Sequence, residues 1–528
     1  MLAVKRVSIL IAAAIVAAGA AIATAKKPAT GFKTTTKAYL VGVAGTGFTT
    51  EPLLTAGDQV PVTDSANEDY QMVGIPDGLG AVRARHGHGV TRVFMNHELN
   101  SNVLSHPYVD RPAHQRGAFV SEYRLARDGS VLSGRRAFDT VYQDDTLVGP
   151  AAETTGTTEN GTRGFSRFCS GFMAGRKTGF DRPIYLTGEE TSDGTSFNPN
   201  GSQTVAVFDR QIHALKDFGY FPRENSVVAQ GTGKRTVAFV LEDGPRTPDS
   251  QLYMYVGTKK KNGTVLERNG LVGGDLWVFA SDNPANNSEA TFNNGTLDGH
   301  WAKLADATNE ADQEAKADAA GAFGFVRIED GMFGQSKKRF NFVTTGESLD
   351  GTTNRLGANY RLRFDPNKDP ADQNPQLSVV FNSDEIDAAN QDGPFSPDNI
   401  TTLHSLEAIQ EDGTSASRPE MGSRNRDGSV WLVDGAFTSD TATSFPARKR
   451  IAELTGSTGG KIDPTPRFPG IWESSGIIDV KPLFRKGRRL VFLLDVQAHE
   501  SAPPGGATET VEDGQLLLLR GNSKSLGG

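Results

Sequence analysis

One thiol in a chain of 528 residues raises the first chemical question. Cys169 sits in RFCSG at 167–171, and Glu189 and Glu190 end the run PIYLTGEE at 183–190. A thiolate and two adjacent carboxylates at strand ends can bind a metal, because all three are anionic donors once deprotonated. The alternative is an ordinary buried thiol beside a solvated acidic turn, and the spacing matches no paired Cys or His zinc pattern. A second group consists of acidic turns: Glu242-Asp243-Gly244, Glu329-Asp330-Gly331, and Glu420 in RPEMG. Hard cations such as calcium take about six to eight oxygen donors from carboxylates and carbonyls in Gly-containing loops. A single acidic residue beside glycine is otherwise a hairpin turn, and no EF-hand spacing is present. Arg327 stands two residues before Glu329, and strand positions two apart share a face. A guanidinium projecting beside a carboxylate suits a phosphate held by a metal, whose oxygens match its planar fork; it equally suits a local ion pair.

The nine histidines are scattered. His86 and His88 form the one close pair, while His97 lies in MNHELN and His499 in DVQAHE. A His-x-His pair can ligate a metal, and a loop histidine can also be simply solvated. No G-x-S-x-G elbow and no Walker loop occur, which removes serine-nucleophile hydrolases and P-loop enzymes from consideration.

These residues need elements to position them. Short β-branched and aromatic runs bounded by Gly, Asp, Asn or Pro recur along the chain. They lie at 38–44, 92–96, 183–188, 204–209, 236–242, 252–257, 275–280, 360–364, 430–435, 489–496 and 515–520, and each predicts a strand. Asp-Gly turns stand beside them at 127–130, 242–244, 411–413 and 426–429. Repeated strand-turn-strand units over most of the chain predict an all-β fold, a β-propeller, although no clean repeat period is visible. A propeller would gather loops that follow its strands around one end of its axis. The Ala/Glu/Asp/Lys-rich segment 302–320 predicts a surface helix or excursion. Segments 384–391 and 448–454 predict short helices, and 152–164, 282–297 and 411–426 read as loops.

Composition agrees with a large folded β protein. Hydrophobic residues are 37% and charged residues 22%, enough apolar material for a core and too little charge for a disordered chain. Gly and Pro together number 85, about one residue in six against a usual one in eight, which disfavours a helical bundle. The net charge of −8 argues against a nucleic-acid partner, which needs a basic face. A single cysteine excludes an intrachain disulfide. Residues 1–25 place Lys5 and Arg6 before an Ala/Ile/Val run ending in small residues at Ala23 and Ala25, the pattern of a cleaved signal peptide. A membrane anchor is the rival reading, since Val7 to Ala25 approaches spanning length; the polar KKPATG that follows favours cleavage.

The ordered set MNHELN, RFCSG, LTGEE, VLEDG, RIEDG, VWLVDG and LLDVQAH, running from about residue 90 to 500, resembles the PhoX-type alkaline phosphatase family. The resemblance implies a six-bladed β-propeller with helical and loop insertions, spanning 26–528 after the signal peptide. It also implies a cluster of iron and calcium at one end of the axis, and hydrolysis of phosphate monoesters in the periplasm or outside the cell. By matching motif, Cys169 would be a thiolate ligand of iron, joined by Glu242 and Glu329. Glu189 or Glu190 would be a calcium-side carboxylate, with Glu420 and Asp434 as further ones, and Arg327 would hold the substrate phosphate. The expected partner is a small phosphate ester, with no nucleic acid, no stable membrane anchor and a monomeric chain. Two other readings stay open: a non-catalytic calcium-binding propeller for ligand or surface binding, and a propeller hydrolase of another kind, such as a lactonase or phytase.

Overall fold

A computed structural model describes residues 31–522 apart from 66, 86–88, 193, 335, 456–471, 485–489, 500–505 and 507. His86, His88 and the 1–25 segment therefore lie outside the described residues. Every run predicted as a strand carries one, and the described residues hold only four short α-helices, so the protein is mostly β.

Six strands organise the fold: β1 (Pro76–Arg83), β2 (Phe172–Ala174), β3 (Ser226–Val228), β4 (Ile328–Phe333), β5 (Pro397–Leu403) and β6 (Glu473–Asp479). Each packs against the next, and β6 returns to β1. From each, an antiparallel meander runs outward; β1 is followed in its sheet by Thr91–His97, Phe119–Leu125 and Val131–Arg136. The meanders begun by β3 and β4 join at their outer strands, Thr296–Lys303 pairing with Gln376–Asn382 to make one nine-stranded sheet. The sheet begun by β6 takes its outermost strand, Thr49–Thr55, from near the other end of the chain, in register with Asp513–Gly521.

Sheets that face one another on both sides explain why the strands read as continuous apolar runs. All nine residues of Leu490–Ala498 are buried. Between the two halves of the nine-stranded sheet, begun by β3 and by β4, Phe239 and Met254 meet Phe340, Phe342 and Tyr360, and burying each such side chain stabilises the fold by roughly 1.5–3 kcal/mol. The core is thus a set of apolar wedges between sheets, which holds the inner strands at fixed separations.

Several expectations change. Segment 448–454 is a strand, not a helix: Arg448–Leu454 pairs with Ser429–Asp434 on one side and Leu40–Gly42 on the other. Burial of Ile451, Ala452 and Leu454 in sheet pairing overrides the helical composition. Within 302–320 the helix is confined to Glu310–Ala319, N-capped by the Asn309 side chain, because Thr296–Lys303 is still strand. The helix expected at 384–391 is present as Ser383–Ala388. Segment 152–164 contains a small hairpin, Glu153–Thr155 with Thr158–Asn160, and 411–426 contains the helix Pro419–Ser423.

Candidate metal centre

The heads of the six inner strands converge. Asp77, Glu329 and Asp398 are the second residues of β1, β4 and β5, Glu473 is the first of β6, and Cys169 and Glu224 stand just before β2 and β3. A second tier comes from the exits of the next strands outward. Glu98 follows Thr91–His97, Glu190 follows Ile184–Gly188, and Asp243 follows Arg235–Leu241, while Asp412 follows Leu406–Glu411 and His499 follows Leu490–Ala498. Together with Arg167 and Arg327 these side chains line a cavity of ≈ 320 Å³.

A repeated local device delivers them. Three residues ahead of a cavity ligand, a backbone N–H donates to a buried carboxylate. Ser166 N donates to Glu189 Oε1 (3.0 Å), Val326 N to Glu289 Oε2 (2.8 Å) and Phe395 N to Glu411 Oε1 (2.7 Å). The next residue then turns left-handed, with φ of 48° at Arg167, 55° at Arg327 and 50° at Ser396. That conformation costs a non-glycine residue on the order of 1–2 kcal/mol, so the clasp upstream must hold it. The result is a reversal that sends Cys169, Glu329 and Asp398 toward the common axis. It also corrects the pleat argument for Arg327: the residue precedes β4, and its contact with Glu329 (Nη2 to Oε1, 3.0 Å) arises from the turn. The inner strands approach so closely that a Cβ on Gly78 would stand 2.4 Å from the Cys169 carbonyl oxygen, which leaves room only for glycine.

The cavity carries far more negative than positive charge. Arg167 donates from Nε to Glu98 (2.9 Å) and from Nη2 to Glu190 (2.7 Å), and Cys169 Sγ lies 2.6 Å from Glu190 Oε2. Arg327 grips Asp243 with two parallel hydrogen bonds of 3.2 and 3.1 Å and reaches Glu347 at 3.4 Å. Two guanidiniums thus face nine carboxylates: Asp77, Glu98, Glu190, Glu224, Asp243, Glu329, Asp398, Asp412 and Glu473. Burial, then the neighbouring Glu224 and Glu98, pushes the Asp77 carboxyl well above the usual carboxylate range. Burial and adjacent acids do the same to Glu190, Glu224, Glu329, Asp398 and Glu473. Burial, then Glu190, raises the Cys169 thiol well above its ordinary value. Asp412 goes the other way, because Arg418 and Arg327 outweigh its burial.

This donor set fits cations. Three overlapping groups, Asp77–Glu98–Cys169, Cys169–Glu190–Glu224 and Glu224–Glu329–Asp398, each present ligand atoms within 4.8 Å of one another. Glu329 Oε1 is buried and, apart from its ion pair with Arg327 Nη2, has no hydrogen-bond partner. Metal ions would neutralise the excess charge, and their own charge would reverse the upward pKa shifts. Cys169, shared by two groups, adds a soft donor that suits a transition metal; the all-carboxylate group suits calcium.

The residues that follow the donors Cys169, Glu224, Glu329 and Asp398 in the chain, Ser170, Asn225, Asp330 and Asn399, join a further set of hydrogen bonds. Asn225 Nδ2 donates to Asp330 (2.7 Å), Asn399 Nδ2 to Ser170 Oγ (2.6 Å), and Gly476 N to Asn399 Oδ1 (2.8 Å). Burial lifts Asp330 to about 7 against the hydrogen bond from Asn225. The bonds of Asn399 to Ser170 and Gly476 tie strands of different sheets together.

Of the residues singled out in the sequence, the structure brings together Cys169, Glu190, Glu329 and Arg327. It places Glu189, Glu242, Glu420 and Asp434 outside the cavity lining. Glu189 clasps the N–H groups of Ser166 and Phe197. Glu242 Oε2 accepts from Gln251 N (2.8 Å), and its neighbour Asp243 enters the cavity instead. Glu420 pairs with Arg355, and Asp434 accepts from Ala436 N (3.1 Å) at the outer end of its strand. Asp77, Glu98, Arg167, Glu224, Asp398, Asp412 and Glu473 also line it and were not singled out, while Asp243 and His499 were named only as part of an acidic turn and as one of the scattered histidines. At five of the six inner strands the donor sits in a turn-like triplet, PDG, ENS, EDG, PDN or ESS, and at the sixth it is Cys169 in CSG.

No family model matches the chain, and no curated protein matches it. Among solved structures it is similar to Pseudomonas fluorescens PhoX in complex with vanadate, a transition state analogue. The TM-score is 0.60 and the identity 15%, over 94% of this chain and 98% of that one. A structure from work on two prolyl endopeptidases also matches, at TM-score 0.24 and 9% identity over 82% and 55% of the two chains, and carries no argument. The first likeness shows the fold, which is mostly β, propeller-like and shared with PhoX.

Proposed function

We propose that this chain is an exported, metal-dependent phosphatase of the PhoX type. It would hydrolyse phosphate monoesters at a centre of iron and calcium on the axis of a six-bladed β-propeller whose blades begin at β1 to β6. Residues 1–25 serve as its signal peptide. The observation that carries this reading is the convergence of nine carboxylates, one thiol and two arginines at one end of the ring of inner strands. The fold likeness to a protein that binds vanadate, a transition state analogue, supports it.

Cys169 with Glu190 and Glu224, and with Asp77 and Glu98, would hold iron, while Glu224, Glu329 and Asp398 would hold calcium. Bound there, the cations supply Lewis acidity toward phosphoryl oxygens. Arg327, its Nε–Nη2 edge held by Asp243, would present its remaining Nη hydrogens to those oxygens and stabilise the charge that spreads over them in displacement. Asp243 and Glu347 aim that guanidinium, and Arg167 holds the Glu98 and Glu190 side chains in place. The raised thiol pKa disfavours Cys169 as a free nucleophile, and a cation bound beside it would lower that pKa and make it a thiolate ligand.

Turnover of a chromogenic phosphate monoester by the purified exported chain tests the reading. Activity that falls on chelation and returns with iron and calcium is the expected result. Bound calcium without turnover would support the non-catalytic calcium-binding propeller instead.

A further inference from the structure

Away from the axis, His106, His114 and Glu509 meet where the segment after Leu104–Ser105 touches the loop before Asp513–Gly521. Their ligand atoms lie within 4.8 Å of one another. His106 Nδ1 is 2.7 Å from Glu509 Oε2, and His114 Nε2 is 3.6 Å from Glu509 Oε1. The other nitrogen of His106, Nε2, lies 2.7 Å from the Arg111 carbonyl oxygen. A carbonyl only accepts, so Nε2 carries the hydrogen, and Nδ1 of the neutral ring turns its lone pair on the carboxylate. Two acceptors at 2.7 Å repel unless a proton or a cation lies between them. A ring N–H donated to a carbonyl while the opposite nitrogen faces a carboxylate and a second imidazole is the arrangement of a metal-ligating histidine.

We propose that His106, His114 and Glu509 form a second, separate metal site that takes zinc or a similar borderline divalent cation. Two imidazoles and a carboxylate are three of the four ligands of a tetrahedral zinc, with water in the fourth position. The position gives the site a job. His106 N also donates to the Glu509 carbonyl (2.9 Å), and one residue on, the Thr510 carbonyl accepts from Gly74 N (2.8 Å), beside Ile75 of the cavity wall. Glu512 of the same loop bonds His499, another wall residue. A cation at this point would pin the loop that flanks the cavity mouth.

Zinc chloride titrated calorimetrically into the purified full exported chain, loaded with its axial metals, tests the proposal. The wild type and Cys169→Ser should each bind one zinc and gain thermal stability. His114→Gln and Glu509→Gln, both at partly exposed positions, should bind it at least tenfold more weakly while remaining folded by circular dichroism. Equal zinc uptake by wild type, His114→Gln and Glu509→Gln would overturn the proposal, leaving a protonated ion pair. Loss of the zinc site in Cys169→Ser alone would overturn it too, by placing the zinc on the axis.

Discussion

Glu189 and Glu190 are chain neighbours and do opposite work, and the same is true of Glu242 and Asp243, and of Glu411 and Asp412. The first member of each pair faces away from the axis and accepts backbone N–H groups; the second enters the cavity. Both tiers are removed from water. The clasp tier resolves its burial one residue at a time. Glu189 is pushed up to about 8 by burial and Glu289 to about 7, so Glu189 keeps its proton at pH 7 while Glu289 releases its own around that pH. Glu411 instead receives the buried Arg426 guanidinium at 2.8 and 2.9 Å. In the cavity, carboxylates lie within reach of one another and outnumber the guanidiniums, so the remaining alternatives are shared protons or cations. Burial alone therefore does not mark a metal site; unmatched charge does.

The contrast breaks first at the Glu189–Glu190 pair. Glu190→Gln should lower phosphatase turnover by at least about a thousandfold, because a cation and its Lewis acidity leave with the ligand. Glu189→Gln should keep its cations and lose stability instead; equal metal loss in both variants, measured by elemental analysis, would erase the distinction. Arg327→Ala should retain the cations and reduce kcat/KM by about 10²- to 10³-fold, which steady-state kinetics would show. At the third pair, Glu411→Gln should destabilise the fold by about 3–5 kcal/mol by leaving Arg426 without its buried partner, with unchanged metal content; denaturant melts read this directly. Glu289 sharpens the comparison through pH. Its carboxyl sits near pH 7 in the folded chain against 4.5 ordinarily. Between those values the folded chain keeps a proton the unfolded chain has released, so its contribution to stability falls as pH rises. It is fully present below pH 4.5 and lost by about pH 7, a change of about 3 kcal/mol. Glu289→Gln should flatten the stability profile across that window, and an unchanged slope would refute the assignment.

The strands were legible because sheets packed on both faces demand continuous apolar runs, as in Leu490–Ala498. Cys169 and Arg327 stood out through rarity and through motif. The donors at Asp77, Glu224, Asp398 and Glu473 did not, since an acid before Gly, Asn or Ser has the local chemistry of a turn, and only the ring of inner strands shows that they are equivalent. The choice between Glu242 and Asp243 was equally hidden: neighbouring side chains leave a strand on opposite faces, and which face looks down the axis is a tertiary fact. Arg448–Leu454 misled for a related reason, its helical composition being overridden by strands on both sides.

Elemental analysis of the purified chain and its variants tests the central claim most directly. The account predicts more than one cation per wild-type chain, with iron lost from Cys169→Ala and calcium lost from Asp398→Asn. A wild-type chain purified from metal-replete medium that carries no cation, or a Cys169→Ala chain with wild-type metal content, would contradict it.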